Sequence, residues 1–543
     1  MQILGYNVSI VSKKVDSPET VEPEIIEAMS PEMSANYNRG ALVYGASFVQ
    51  SFDGEKTPGE IGPITKLEMN YGGLRARSWE AYVTSEIAKT VLNCYFIWIV
   101  GKGLKLQCTP ATNVLISEGV NLDSEKFNNL VEARFNIYSR SKQASHNGMQ
   151  SLNSLSKSCY KGAKIGGDVL AVLRYDGINV TTELIDGEHV KGSIVGTEVS
   201  DGNRIFDGIE IDSTGKHIAY HVQKAGVGAG TQRIEAWSKI TGLRVAFMVY
   251  GSKYRENELR GIPEIATSLE TISKIERYKE AAVGSAEERA KIVYSIEHNA
   301  ISDGSSPLIG QLTKSLNPNG GALAPVDADG KGLAEAVAAS TNKQTFNMTQ
   351  GAKLVALESK QEMFFEEFYR TNAHIVCAAV NIPPNIAFSM YNDSFSASRA
   401  ATKDWENTMS VERDDFTEQF YAPIMAFWLH MEILKNKIEA PGYLMAFNNK
   451  NFMVTEAYLN SRFTGAMFPH IDPLKEVKAE REKLGPLGAN IPLTTIEAAT
   501  EFLDGSDFNS NVEQFSKEFI KAEKLGLDVA PPPPPGTVPV ETK

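Results

Sequence analysis

The chain has 543 residues, 42% hydrophobic and 22% charged, an ordinary globular composition too long for one core, so two to four domains are expected. The formal charge of −13 argues against a static nucleic-acid binder, which would be basic. It does not exclude a protein that DNA must move past, where tight, salt-dependent phosphate contacts would act as a brake.

Residues 1–40 are polar and irregular and read as a flexible arm. Residues 1–30 hold no apolar segment of signal-peptide type, and Tyr95–Val100 is far shorter than the roughly 20 residues of a membrane span. Cys94, Cys108, Cys159 and Cys377 lack CxxC spacing, which fits reduced thiols in a soluble, cytosolic product. Ala76, Tyr82 or Val83, Ile87, Val91 and Tyr95 recur at helical spacing and predict one helix over 74–100, ended by Gly101 and Gly103. A second helical region is expected over 124–153, with Phe127, Leu130, Phe135 and Ile137. From Gly166 to Tyr250 the period changes to two, and 168–174, 182–185, 208–212 and 217–222 read as strands in a β-rich block. A helix follows over 262–293, opened by Pro263 and striped by Ile262, Ile265, Leu269, Ile272, Ile275 and Tyr278. Unbroken it would be roughly 45 Å long, with Gly284 as a point of interruption.

Residues 300–350, rich in Gly, Ser, Asn, Pro and Ala, would make a poor core and read as a protruding, partner-dependent segment. The next helix carries the stripe Phe364, Phe368, Thr371, Ile375 and Ala378 and stops at Asn381-Ile382-Pro383-Pro384, where double proline forces the chain out of helix. A polar loop, Ser389 to Ser394, precedes a longer helix that restarts near Ser396. Two helices joined by an exposed polar loop form a device that holds the loop out to a partner. In the longer helix Phe416, Phe420, Ile424, Phe427, Met431 and Leu434 share a face, and Pro423 should kink it. Helical segments continue to about residue 527, and Pro531–Pro535 is an extended, disordered tail.

Little of this reads as chemistry. No Walker-type, GxSxG or HExxH motif occurs, so no motor or hydrolase signature is present. Gly226 to Gly230 lies between strands and opens no helix, which makes it a hairpin loop rather than a dinucleotide fingerprint. His217 and His221 read as two histidines on one strand face rather than metal ligands. Glu412, Asp414, Asp415 and Glu418 read as the solvated face of a long helix or an intersubunit contact, with Arg413 among them. No catalytic, metal or cofactor-binding residue is assigned.

Several segments, in order, resemble lambda-type phage portal proteins. They are Leu74-Arg-Ala-Arg-Ser78, Ile99-Val-Gly-Lys-Gly-Leu-Lys105, Gly208 to Val222, Arg260-Gly-Ile-Pro263, Asn381-Ile-Pro-Pro384 with Ser396 to Ala400, and Phe468 to Glu476. The arm, the polyproline tail and residues 315–345 carry no part of the likeness. The resemblance implies an α+β portal fold assembled as a ring of about twelve subunits at one capsid vertex. Double-stranded DNA would enter and leave through it. The implied parts are an N-terminal arm (1–40), a wing (41–261, β-rich over 166–250), a first stem helix (262–293), a clip (294–356) and a second stem helix (357–381). A tunnel loop (382–396), a long kinked helix returning to the wing (397–469), a crown (470–530) and the tail (531–543) complete it.

Asn385, Ser389, Met390, Tyr391, Asn392 and Asp393 would then face the DNA channel, with Ser396, Ser398 and Arg399 starting the helix beyond. A buried Tyr391 stays open as the alternative. Implied partners are the terminase large subunit, head-completion or adaptor proteins, the major capsid protein and scaffold, with no membrane. The implied location is the virion, with assembly in the host cytoplasm. Two competing readings are another capsid or tail ring component, and an enzyme with an unrecognised site in the β-rich block.

Overall fold

The computed structural model describes residues 71–191, 197–198, 202–224, 230–254, 258–296, 344–347, 365–390, 395–465, 473–485, 493–506 and 508–526, with short ladders at 2–3, 6–7, 49–50 and 56–57. The chain is a mixture of helices and small sheets, α+β as expected, in two compact units: residues 1–269 with 377–543, and residues 270–376.

The first unit opens with α1 (Tyr71–Thr84) and α2 (Glu86–Tyr95), the latter extended by a π turn over Phe96–Val100. The single helix expected over 74–100 is therefore two, bent by 100° at Ser85. Ser85 is extended (φ −93, ψ 126) and buried, and Thr84 Oγ1 turns back to the Glu80 carbonyl. The break rotates the buried face to Leu74, Ser78 and Tyr82 and leaves Ala76 and Val83 outside. No single described helix is long and apolar enough to cross a membrane. Gly101 and Gly103 end the run with φ +52 and +99, and a Cβ on Gly103 would collide with Asn153.

Strand β1 (Lys105–Cys108) and α3 (Thr112–Ser117) lead to α4 (Ser124–Arg140), which buries Phe127, Val131 and Phe135 and exposes Ile137. The helical region expected to run to 153 ends at Arg140. Helix α5 (Leu152–Gly166), capped by Ser151, is new, and it explains the β-rich block. Strands β2 (Asp168–Tyr175) and β3 (Val180–Asp186) pair with the later β9 (Ala246–Tyr250) in the order β9-β2-β3. Strands β4 (Thr197–Glu198), β5 (Arg204–Phe206), β6 (Ile209–Ile211), β7 (His217–Gln223) and β8 (Thr231–Glu235) form a second antiparallel sheet, order β8-β7-β6-β5-β4. Leu170 and Val172 of β2 pack with Phe206, Ile209, Tyr220 and Met248 in one core between the sheets. The other face of β2 meets α5 so closely that a Cβ on Gly162 would lie 2.7 Å from Val169 Cγ2. Strand β2 is thus covered on both faces, which explains its run Val169–Leu173 without a polar residue.

The helix expected from Ile262 begins at Leu269: α6 is Leu269–Lys291, about 35 Å by a rise of ~1.5 Å per residue. Ile262 N donates to Ser252 O (2.9 Å) and Glu264 N to Lys164 O (3.0 Å), which holds Pro263 in extended chain before a 3₁₀ turn at Ala266–Ser268. Gly284 lies inside α6 and interrupts nothing. The expected stripe is otherwise right, with Ile262, Ile265, Leu269, Ile272 and Ile275 all buried.

In the second unit the Tyr278 ring stacks on Phe365 (centroids 5.7 Å apart) and contacts Phe368 (4.4 Å), joining α6 to α7 (Phe365–Ala379). Strands β10 (Ile292–Ile296) and β11 (Gln344–Asn347) form a parallel pair. Most of the expected clip, 297–343 and 348–356, lies outside the described residues, as do 357–364 of the expected second stem helix, Phe364 among them, and Pro531–Pro535. Toward its end α7 buries Ala373, Val376, Cys377 and Val380, whereas Thr371, Ile375 and Ala378 of the expected stripe are exposed. Small side chains chose the face, a preference that hydrophobic spacing alone does not encode.

A one-turn helix α8 (Pro384–Ala387) precedes α9 (Phe395–Phe416). The chain then makes a π turn over Thr417–Tyr421 and continues as α10 (Ala422–Leu434). Pro423 is met by that π turn: it sits in the first turn of α10, where its missing N–H costs least. Phe416, Phe420, Ile424 and Phe427 are buried as expected, Leu434 is exposed, and Met425, Trp428, Leu429 and Ile433 are buried too. Helix α10 is therefore buried nearly all round. Trp428 packs edge-on to Phe135 (5.1 Å) and stacks on Tyr138 (5.8 Å) of α4. Helices α11 (Tyr443–Asn448) and α12 (Phe452–Leu459) bring the chain back to β12 (Ser461–Thr464), which pairs with β1. Helices α13 (Pro473–Leu484), α14 (Ile496–Asp504) and α15 (Phe508–Lys524) follow.

Candidate functional site

The turn between α7 and α9 and the helices that grip its base form the candidate site. Helix α7 stops where its sequence directs. Val380 N and Ile382 N both donate to the Cys377 carbonyl, at 3.2 and 3.0 Å, and Asn381 takes φ +55, the left-handed conformation that often follows a helix. Pro384 opens α8 at a position that needs no N–H donor. The segment expected to be loop throughout, 382–396, is thus folded core in its first half, with Ile382, Ile386 and Ala387 buried.

Asn385 is half-buried in that turn. Its Oδ1 accepts from Ile386 N (2.9 Å) and its carbonyl from Met390 N (2.9 Å). The exposed part begins at Ser389, with φ +54, and Met390, 54% exposed. Tyr391, Asn392 and Asp393 lie outside the described residues. Helix α9 restarts at Phe395, one residue before the expected Ser396. The Ser398 carbonyl accepts from Thr402 Oγ1 (2.9 Å), and the half-exposed Arg399 guanidinium lies 3.9 Å from Glu476.

The base is locked from below. Tyr95 of α2 donates its hydroxyl to the Val380 carbonyl, and its ring meets the fully buried Trp405 of α9 edge-on at 5.7 Å. Beside them Lys164 of α5 lies 3.0 Å from Glu264 and 2.8 Å from Glu412 of α9, and Tyr160 donates to Glu412 (3.1 Å). Burial opposes the lysine's charge, but Glu264 and then Glu412 hold its pKa above the ordinary value. Arg413 is buried and donates to the carbonyls of Ile99 (3.0 Å) and Trp98 (2.6 Å). The acidic group read as a solvated face is therefore divided: Asp414, Asp415 and Glu418 are exposed, whereas Glu412 and Arg413 join α9 to α5 and α2. The Asp415 carboxyl, exposed but partly desolvated by its neighbours, is pushed up, by that desolvation first and then by Glu412.

A second joint lies elsewhere in the same unit, at the start of β2 in the β9-β2-β3 sheet. Asp168, at 0% exposure, takes Arg260 Nε on Oδ2 (2.7 Å) and Nη2 on Oδ1 (2.9 Å), Gly261 N on Oδ2 (2.9 Å), and the guanidinium of Arg75. Arg260 also donates to the carbonyls of Gly187 (2.6 Å), Val190 and Asp207 (both 2.9 Å). Burial alone would raise the Asp168 pKa, yet Arg260 and then Arg75 hold it below the usual carboxylate range. A Cβ on Gly261 would fall 2.0 Å from the Gly167 carbonyl oxygen, so only glycine fits. Two segments 185 positions apart, 74–78 and 260–263, meet on one aspartate.

His217 and His221 have separate partners, Tyr220 Oη (3.0 Å) and Glu210 (3.1 Å). No group of three metal-capable residues stands together among the described residues. All four cysteines are free and buried, and burial raises each thiol.

Sequence reasoning missed Tyr95, Lys164, Asp168 and Trp405. The available signal was a charge at the edge of an apolar run, Lys164 before Ile165 and Asp168 before Val169–Leu173.

The family described as phage portal protein, lambda family, matches residues 54–413. No curated protein matches the chain. Among solved structures, the neck of a native gene transfer agent particle computed with C12 symmetry is similar at 10% identity and TM-score 0.35, covering 80% of this chain and 93% of that one. The neck of an empty particle computed with C6 symmetry is similar at 12% identity and TM-score 0.33, covering 79% and 92%. The matched family span holds both joints, the α7 stop and the start of α9, and covers about two thirds of the sequence. The chain belongs to the lambda family of phage portal proteins, which form the channel at a capsid vertex.

Proposed function

We propose that about twelve copies close into a ring through which double-stranded DNA is packaged and ejected, without catalysis of its own. The observation that carries this reading is the contrast within 377–390: a base clamped by Tyr95 and Trp405 leads into the exposed Ser389 and Met390, at the start of a stretch, 389–394, whose one charged residue is Asp393. A surface that slides along phosphates works best rigid at the root and weakly charged at the end, since lysines or arginines there would bind DNA tightly. The net charge of −13 serves the same end.

In this reading residues 41–261 and 397–469 form the wing, α6 and α7 the stem, 294–356 the clip, the turn before α9 the tunnel loop and 470–530 the crown. The clip receives the terminase large subunit and later the head-completion or adaptor proteins. The outer wing meets the major capsid protein and scaffold, and the protein ends in the virion after assembly in the host cytoplasm. A photoreactive label on Met390→Cys in assembled particles should attach to packaged double-stranded DNA. Attachment confined to protein would contradict the loop's role.

A further inference from the structure

Among the described residues, none covers the middle of helix α15. Every side chain from Asn511 to Lys521 is exposed, including Phe515 at 66%, although Phe508, Val512, Phe515, Phe519 and Ala522 recur at alternating spacings of four and three. That spacing is the seam of a helix packed on other helices. A helix of 17 residues with an uncovered aromatic face is marginal in water by itself.

Its charges narrow the choice of partner. Glu513, Glu518 and Glu523 balance Lys517, Lys521 and Lys524, with Lys517 3.6 Å from Glu513 and Gln514 donating to Glu518 at 2.7 Å. A helix for an anionic membrane surface or for DNA would carry a cationic excess, and this one has none. A protein surface is the remaining class, and the chain carries one that fits. Between α13 and α14 lies an open cleft of about 470 Å³, lined by Glu480, Lys483, Leu493, Thr494, Ala498 and Phe502. Leu493 on its wall is 84% exposed, so α15 does not fill the cleft within one chain. Lys403 and Lys483 stand over the Phe502 ring at 4.7 and 5.7 Å, each half-exposed and paired with a glutamate of its own helix, Glu406 (2.6 Å) and Glu480 (2.5 Å), so that Glu518 and Glu523 beside the α15 seam would share these cations.

We infer that α15 of one subunit seats its Val512–Phe515–Phe519 face in the α13–α14 cleft of a second copy of this chain. Knob and cleft are different surfaces, so the contact can run head-to-tail from copy to copy as a ring requires, and the inference rests on the ring proposed above. Neighbouring copies in a ring face each other at high effective concentration, so a modest contact would be saturated there.

The test uses the full chain. Phe515→Cys with Leu493→Cys, oxidised in assembled rings, should give a ladder of covalent multimers on a non-reducing gel, because the native cysteines are buried. In parallel, Phe515→Glu with Phe519→Glu should leave the monomer's melting unchanged, since both rings are exposed, and lower the urea concentration at which rings come apart. Cross-links confined within single chains, or Glu-variant rings as resistant to urea as the parent, would overturn the inference. A parent chain that never assembles would overturn the ring reading beneath it.

Discussion

Replacing Asp168 with alanine should cost about 3–5 kcal/mol, enough to remove most of the margin of an ordinary domain. The carboxylate is fully buried between Arg260 and Arg75, and its loss leaves two guanidinium groups without a counter-charge. Arg260 would keep its three carbonyl acceptors at Gly187, Val190 and Asp207, but Arg75 would retain little beyond a 3.9 Å approach to Asp186. Gly261 N would also lose its acceptor in a place where no side chain can be added. The damage should spread through α1, β2 and the approach to α6, so soluble yield should fall sharply and urea unfolding should begin much earlier. Asp168→Asn should share most of the loss, because it keeps the shape and removes the charge. Glu183→Gln breaks the half-exposed Arg174–Glu183 pair and should cost under about 1 kcal/mol. Equal effects from Asp168 and Glu183 would show that the buried joint does not hold α1, β2 and the approach to α6 together.

Removal of residues 388–394, bridged by a short glycine link, should leave assembly intact and nearly abolish DNA packaging or retention. The anchors all lie outside the deleted stretch: Tyr95 holds Val380, Ile382 and Ile386 are buried, and Trp405 and Glu412 fix α9. What goes is the segment beyond those anchors, with the exposed Ser389 and Met390 in it. Particle counts and packaged DNA, measured together, separate the two effects. Rings that fail to form after the deletion would sink the tunnel-loop assignment.

The difference between what was legible and what was not is one of distance along the chain. The stop of α7 could be read because Asn381, Pro383 and Pro384 act on their own backbone. The strands between Asp168 and Tyr250 could be read because alternation is local, and the α6 stripe because helical spacing is. The break at Ser85 was hidden, since apolar residues continue at helical spacing on both sides of a serine that only its buried, extended setting turns into a cap. Helix α8 was hidden because two prolines mark a stop and a restart equally well. The joints were the least legible. Lys164 and Glu412 are 248 positions apart, and nothing in either neighbourhood names the other. The resembling segments contained Arg75, Arg260 and the Ile99 carbonyl, and the structure gives them a physical role as the places where distant parts of the fold are bolted together.

The central claim, a ring-forming channel subunit, is tested most directly by purifying the chain and imaging it by negative-stain electron microscopy, with light scattering for mass. The account predicts rings of about a dozen subunits with an open central channel. A chain that remains monomeric across concentration and salt would contradict it.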